Sequence, residues 1–372
     1  MSGAIVHEWI EQSGGAEKVL DAFVDAYPDA DIFALWDDAP GRYPDHDVHE
    51  TWLARTPLRR HKALALPALP AVWRRLRAKR DYDWMLVSSH LFAHHADFVG
   101  TTGVPKLVYA HTPARYIWAP DLDKRGQSSV ARAASLVLKP LDRMRAAEAV
   151  SIAANSAFVR DRVWQAWGRD ARVIHPPVSV KRISSVADWS AELDDGERIT
   201  LGALGTGFVL GASRFVPYKR LEEVIRVAEY LGIPAVIAGK GPDEPRLRQM
   251  ASDASVPVTL LQSPSDGMLY ALYRAAGVFV FPAIEDFGIM PVEAMSAGCP
   301  VVTTNVGGAQ ESVTQGVSGI IAAGASVVEL AAAAAAAIDL PRAKIPSTVE
   351  RFSVDRFQTE ITTWVEETVM LP

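Results

Sequence analysis

Two glutamates eight positions apart, Glu285 and Glu293 in PAIEDFGIMPVEAMSAGCPVV (residues 282–302), are the first groups whose placement could do chemistry. One follows an apolar strand pattern and the other falls on the helical pattern after it, with Gly288 and Pro291 between. Upstream, Arg214 in GASRFVPYKRLEE follows an apolar run, and Lys219 stands five residues later, ahead of a helix. Two cations beside a helix N-terminus suit a diphosphate, arginine giving a bidentate contact and lysine a point charge. Two solvated loop cations are the plainer alternative. Gly14 and Gly15 in HEWIEQSGGAEKVL let backbone amides at a helix start approach a diphosphate or sugar, although Gly-Gly turns are common without a ligand. His90 and His94 have ligand spacing for a helix, but with no acidic or third ligand read nearby no metal site is expected. The Asp-x-Asp pairs Asp29/Asp31, Asp45/Asp47, Asp81/Asp83 and Asp121/Asp123 lie away from the glycine loop and the cation pair, so they read as chance, and the chemistry as metal-independent and cofactor-free.

These residues need strands to end on. Apolar runs at 4–9, 31–36, 84–89, 106–111, 150–155 and 171–176, then at 208–213, 235–239, 258–262, 278–283, 300–305 and 319–323, do not alternate, as expected of strands covered on both faces. Helical stripes separate them: Ala16, Val19, Leu20, Phe23, Val24 and Tyr27 in one, Leu221, Val224, Ile225, Ala228 and Leu231 in another. Two doubly wound α/β domains follow, with ligands beyond the carboxyl ends of the strands. HPPVSVKRISS (175–185), with two prolines and then lost periodicity, marks the join. The expected domains are 1–180, 181–350 and a C-terminal helical segment 351–372; ELAAAAAAAIDL (329–340) is simply a strong helix former.

At 372 residues two domains are the default. No apolar run reaches the ~20 residues of a membrane span, and MSGAIVHEWIEQ lacks the basic head and apolar centre of a signal peptide, so a cytoplasmic protein is expected. The lone Cys299 reads as structural. Charge is uneven: residues 1–183 carry a net +4 and the rest −10. Residues 51–80 hold nine Lys/Arg and no acid, mixed with Leu, Pro and two Trp. That composition suits contact with anionic lipid headgroups on the inner face of the plasma membrane, or an ordinary solvated face. It has no nucleic-acid reading motif, and nucleic acid is not an expected partner.

ASRFVPYKRLEEVIRVAEYL, AGKGPDEPRLRQMA and EDFGIMPVEAMSAGCPVVTTNVGGAQESV, in that order and spacing, resemble the C-terminal half of glycosyltransferase family 4, retaining sugar transferases of the GT-B fold. VHEWIEQSGGAEKVL, YAHTPARYIW and ANSAFVRDRVWQAWGRDARVIHPPV resemble the subgroup that builds polysaccharides and glycolipids, many members of which use GDP-mannose. The resemblance spans nearly the whole chain apart from residues 40–80. It implies two Rossmann-like domains facing across a cleft, an N-terminal one for the acceptor and a C-terminal one for the nucleotide sugar, with the last helix returning to the N-terminal domain. By similarity Glu293 accepts from the ribose hydroxyls and Glu285 holds the donor hexose near its 3-hydroxyl. Asp286, Phe287, Gly288 and Ile289 bring backbone to the sugar and diphosphate. Arg214 and Lys219 neutralise the leaving diphosphate, Gly14 and Gly15 face it, and His111 faces the donor sugar at the reacting centre. Gly239 and the loop of Ser263, Pro264 and Ser265 are the implied base contacts; here the chain departs from the pattern, with Gln262 where relatives usually carry glycine.

The implied reaction moves a hexose, foremost mannose from GDP-mannose, to a glycan or polyprenyl-diphosphate-linked acceptor with retained configuration. The acceptor attacks from the leaving-group side and the leaving phosphate takes the proton. A UDP-sugar-dependent transferase is the near alternative. A nucleotide-sugar epimerase and a non-catalytic sugar-binding relative are the alternatives from other classes.

Overall fold

The computed structural model describes residues 2–101, 103–119 and 129–370, so the Asp121/Asp123 pair lies outside the described residues. The chain divides into two compact units, Met1–Pro177 with Val354–Pro372, and Val178–Ser353.

The first unit carries a seven-stranded parallel sheet. Its strands are β1 (Gly3–His7), β2 (Asp31–Ala34), β3 (Val48–Glu50), β4 (Trp84–Ser89), β5 (Lys106–Ala110), β6 (Ser151–Ala154) and β7 (Arg172–Val173), in the order β3-β2-β1-β4-β5-β6-β7. The apolar runs become β1, β2, β4 and β5, buried along their whole length. The sequence patterns missed β3, because an edge strand reading VHE, partly exposed throughout, has no apolar run to show. Helix α1 (Gly15–Ala26) buries Val19, Leu20, Phe23 and Val24 against the sheet. Ser156 caps α2 (Ala157–Trp167), accepting from Val159 N, and Gly168 ends it at φ 66°.

The C-terminal helix α3 (Val354–Val369) packs on this unit. Phe357 stacks on Phe23 at 5.7 Å between centroids, and Trp364 Nε1 donates to Ser151 Oγ at 2.8 Å. It begins a little later than the sequence pattern, because Pro346–Phe352 forms a 3-10 turn in the second unit and Ser353 is extended.

The second unit has six parallel strands: β8 (Val209–Ala212), β9 (Ala235–Gly239), β10 (Val258–Gln262), β11 (Val278–Phe281), β12 (Val301–Thr303) and β13 (Gly319–Ile321), in the order β10-β9-β8-β11-β12-β13. Residues 180–185, where periodicity was expected to lapse, form a short helix whose Val180 and Ile183, three apart, are both buried. The alanine-rich helix Val327–Ile338 starts in a Ser326/Glu329 capping box. Cys299 is buried and its thiol pKa is pushed up to about 12 by burial, so it is a packing residue.

Candidate functional site

In each unit the strand order reverses once beside the first strand of the unit, and a doubly wound sheet opens its binding crevice beyond the carboxyl ends at that point. In the second unit the reversal lies between β8 and β11. The chain leaving β8 presents Arg214, whose Nη2 donates to Tyr218 OH at 3.0 Å, and then makes a tight turn, Pro217–Lys219. The chain leaving β11 presents Glu285. Lys219 Nζ meets Glu285 Oε1 at 2.7 Å, with both side chains largely covered, and the ammonium also lies over the rings of Tyr218 and Phe281. The cation of one loop and the carboxylate of the other are thus one ion pair, while Arg214 stays exposed.

The Glu285 loop is pinned by glycines that sequence reasoning did not single out. Gly308 N donates to Glu285 O at 2.8 Å, and a Cβ on Gly308 would fall inside the contact radius of Asp286 O. At Gly307, with φ 99°, a Cβ would sit 2.9 Å from Glu285 O. The signal was present as NVGG after β12, a glycine pair permitting close backbone approach. Gly288, at φ 89°, begins the helix Ile289–Ser296, and Pro291 sits in its first turn, where a missing N–H costs nothing. Glu293 is buried on that helix; burial first, and then its charge, raise the pKa values of the Tyr270 and Tyr273 phenols. Phe287 is buried, and Asp286 and Ile289 are half-buried.

Beside β8, Gly239 ends β9 at φ 145°, where a side chain would strike Ser213 O, and it accepts from Ser263 N at 3.1 Å. Gly239, Ser263 and Pro264 therefore gather at the ends of β9 and β10. Ser265 is already engaged: it caps the helix Asp266–Ala275 through Met268 N and holds Glu197 through its own N and Oγ at 3.0 and 2.9 Å.

In the first unit the reversal lies between β1 and β4. Register sets His7 beside Ser88, and His111 follows β5 with its N donating to Ser89 O at 2.8 Å. Ser88 Oγ lies 2.9 Å from His7 Nδ1 and 2.8 Å from His111 Nε2. Glu17 Oε1, on α1, lies 4.0 Å from His7 Nε2 and accepts from Glu11 N at 3.3 Å. Burial, with His90 and His7 close by, holds His111 well below the usual imidazole range, so it is neutral at pH 7. Gly14 and Gly15 start α1, and the Glu17 carboxylate folds back over Gly14, where a side chain would collide with it. Arg42 fastens the preceding loop by donating to Gln12 O at 2.8 Å while pairing with Asp21. Neighbouring Glu8 is fully buried; desolvation raises its carboxyl to about 7, against the amides of Leu91 and Ala93 that donate to Oε1 at 2.8 and 2.7 Å.

The partner of His94 is His95, not His90. Their Nε2 atoms lie 3.0 and 2.9 Å from the same Asp142 Oδ1, while Trp118 and Trp167 both donate to Oδ2 at 2.7 Å. The missing acid thus comes from 48 residues after His94 in sequence, out of reach of local reading. Hydrogen bonds from His95, Trp118 and Trp167, with His94 Nε2 in contact, satisfy this buried carboxylate as a structural charge. The basic segment 51–80 is also partly spent on the fold. Arg59, Lys62, Arg74 and Arg80 pair with Asp38, Glu11, Asp97 and Asp31, and Trp73 is buried. Arg55, Arg60, Arg75, Arg77 and Lys79 are exposed and form no ion pair among the described residues, and Trp52 and Leu64 are exposed beside them. An open pocket of about 1130 Å³ is lined in part by Arg55, Arg59, Arg60 and Lys62, with Glu11 and Asp38.

Comparison with known proteins agrees with this geometry. Residues 13–182 match the model of Glycosyltransferase Family 4, and residues 200–351 that of Glycosyl transferases group 1. A GDP-mannose-dependent alpha-(1-6)-phosphatidylinositol monomannoside mannosyltransferase of Mycobacterium tuberculosis is 32% identical over 195 residues, 48% of this chain and 50% of that one. The alpha-1,3/1,6-mannosyltransferase alg-2 of Neurospora crassa is 29% identical over 209 residues, 45% of this chain and 44% of that one. The chain thus spans about half the length of the curated relatives it matches. Among solved structures, Anabaena Alr3699/HepE in complex with UDP-glucose superposes with a TM-score of 0.72 at 21% identity, covering 98% of this chain and 99% of that one. Sucrose-phosphate synthase from Thermosynechococcus elongatus gives 0.73 at 18%, covering 98% of each. These likenesses establish the fold as GT-B. The two glycosyltransferase models together leave little of either unit unmatched, Glycosyltransferase Family 4 over the first half of the chain and Glycosyl transferases group 1 over the second.

Proposed function

We propose that the chain is a retaining glycosyltransferase that moves mannose from GDP-mannose to a hydroxyl of a glycan or lipid-linked acceptor. The observation that carries this reading is the Lys219–Glu285 pair beyond β8 and β11, beside a helix that starts at Gly288 and buries Glu293. The mannosyltransferase relatives support the choice of sugar. Breaking the anomeric C–O bond leaves negative charge on the diphosphate and positive charge on the ring. Lys219, Arg214 and the amides from Phe287 to Ile289 stabilise the first; Glu285 and His111 hold the hexose, and Glu293 the ribose. Gly14 and Gly15 face the diphosphate, and Gly239, Ser263, Pro264 and Ser265 are the base contacts. The acceptor hydroxyl attacks the anomeric carbon on the face the diphosphate leaves, and its proton passes to the leaving phosphate. No step requires a metal or cofactor: turnover unchanged by a chelator supports this, and loss overturns it.

Titration calorimetry with GDP, UDP and ADP, without metal, tests the donor. Preference for GDP supports the reading; preference for UDP moves the donor to a UDP sugar and leaves the site in place. Product analysis separates transfer from epimerisation, which alters the nucleotide sugar without an acceptor. No helix of the described residues is long and apolar enough to cross a membrane. The exposed Arg55, Arg60, Arg75, Arg77, Lys79, Trp52 and Leu64 are proposed to meet an anionic membrane surface, where such an acceptor would lie. Flotation with anionic liposomes supports that contact, and failure to float with them overturns it.

A further inference from the structure

The first unit strings four side chains together, of which the function above uses only the last. They come from α1 (Glu17), the end of β1 (His7), β4 (Ser88) and the residue after β5 (His111). The links are His7 Nε2 to Glu17 Oε1 at 4.0 Å, His7 Nδ1 to Ser88 Oγ at 2.9 Å, and Ser88 Oγ to His111 Nε2 at 2.8 Å. A hydroxyl has one proton, so when both imidazoles are neutral it donates to one and accepts from the other. The string therefore has two polarities, and they place the His111 proton on different nitrogens.

Glu17 decides between them. A proton on His7 Nε2 faces the carboxylate favourably, whereas the opposite polarity would aim a nitrogen lone pair at a negative charge in a site where His7 is 0% and Glu17 4% exposed. Glu17 stays ionised: burial opposes its charge, but the His7 interaction and a place in the first turn of α1 more than offset that, and its carboxyl lies below the ordinary value. His7 then accepts at Nδ1 from Ser88, and Ser88 Oγ accepts from His111 Nε2–H. We propose that Glu17, His7 and Ser88 are positioning residues that fix His111 as its Nε2–H tautomer, so that Nδ1 is presented as a hydrogen-bond acceptor to a sugar hydroxyl. The sugar rests on the function proposed above; the tautomer does not.

Nitrogen NMR of histidine-labelled protein reads the tautomer directly, with His111→Gln assigning the signals. The expected result is a protonated Nε2 and an unprotonated Nδ1 for His111. In Glu17→Gln and Ser88→Ala the proton should redistribute toward Nδ1, and Ser88→Thr, which keeps the hydroxyl, should restore the original pattern. In turnover, Glu17→Gln and Ser88→Ala should lower kcat/KM by about tenfold, the scale of one hydrogen bond. An Nδ1–H tautomer of His111 in the unaltered protein, a His7 protonated on both nitrogens, or a His111 tautomer unmoved by both variants overturns the proposal. If Ser88→Ala does not fold, the near-isosteric Glu17→Gln decides alone. A tautomer that behaves as expected in a protein without transferase activity would sink the functional reading and leave this one standing.

Discussion

In the first unit the strand order turns back between β1 and β4, in the second between β8 and β11, and the side chains beyond those ends are of opposite kinds. The first holds an imidazole–hydroxyl–imidazole string, with one carboxylate at its far end. The second holds a direct ammonium–carboxylate pair, with an exposed guanidinium nearby. Neutral groups in hydrogen-bonded sequence orient a ligand and cost little to bury, whereas a full charge is placed where charge develops. Under the proposed function, the same topology would serve in one unit to orient a ligand and in the other to stabilise charge. Overall charge gives no sign of this, since Arg214 and Lys219 lie within residues 184–372, which are net −10.

Lys219→Ala should break that division most severely. Removing one preorganised donor to a developing anion costs roughly 10²–10³ in turnover, about 3–4 kcal/mol, and here it also leaves Glu285 without its 2.7 Å partner. Product formation from GDP-mannose with a lipid-linked acceptor measures it. Ser88→Ala, at about tenfold, is the matched change in the first unit; a loss there as large as for Lys219→Ala would end the distinction between aiming and stabilising.

A second test concerns what the first unit tolerates in its interior. Glu8 is buried with its pKa raised from an ordinary 4.5 to about 7, so the folded state holds its proton more tightly than the unfolded chain does. The stabilisation is fully present below pH 4.5 and is lost as pH rises through about 7. It amounts to about 3 kcal/mol, at ~1.36 kcal/mol per unit. Buried His95 and His111, whose pKa values are lowered, tilt stability the other way over this range in both proteins, so in thermal melts from pH 4.5 to 8 the melting temperature of Glu8→Gln should rise relative to that of the unaltered protein as pH increases. Equal slopes for the two proteins would show that Glu8 is not protonated in the fold.

How much of this the sequence displayed differs between the halves. The Lys219–Glu285 site was legible because each member lies just past an apolar run and just before a helix, a local pattern that topology converts into proximity. The His7–Ser88 contact joins residues 81 apart through strand register, and nothing local to SSH or VHE announces it. The contact of His95 with Asp142 escaped because it joins a turn and a helix 47 residues apart in sequence. Strand β3 escaped because three half-exposed residues carry no hydrophobic signal, and the short helix 180–185 because two buried positions are too few to show a period. The basic run overstated the free charge, since its ion-pair partners lie in other segments.

The glycines beside the two sites sharpen the comparison with smaller effects. At Gly308 an added Cβ meets the backbone oxygen of Asp286, which cannot swing aside, so Gly308→Ala should cost about 1–3 kcal/mol in thermal stability. It should also draw Glu285 from Lys219, because Gly308 N holds Glu285 O at 2.8 Å. Gly14, at φ 171°, has an extended backbone that any residue adopts, and its added Cβ would meet only the end of the Glu17 side chain. Gly14→Ala should therefore change stability by less than about 0.5 kcal/mol while displacing the Glu17 carboxylate from His7. Its signature is a shifted His111 tautomer in a protein that melts almost normally. A melting loss at Gly14 equal to that at Gly308 would mean that the first site is held by its backbone as the second is, and not by a side chain free to move.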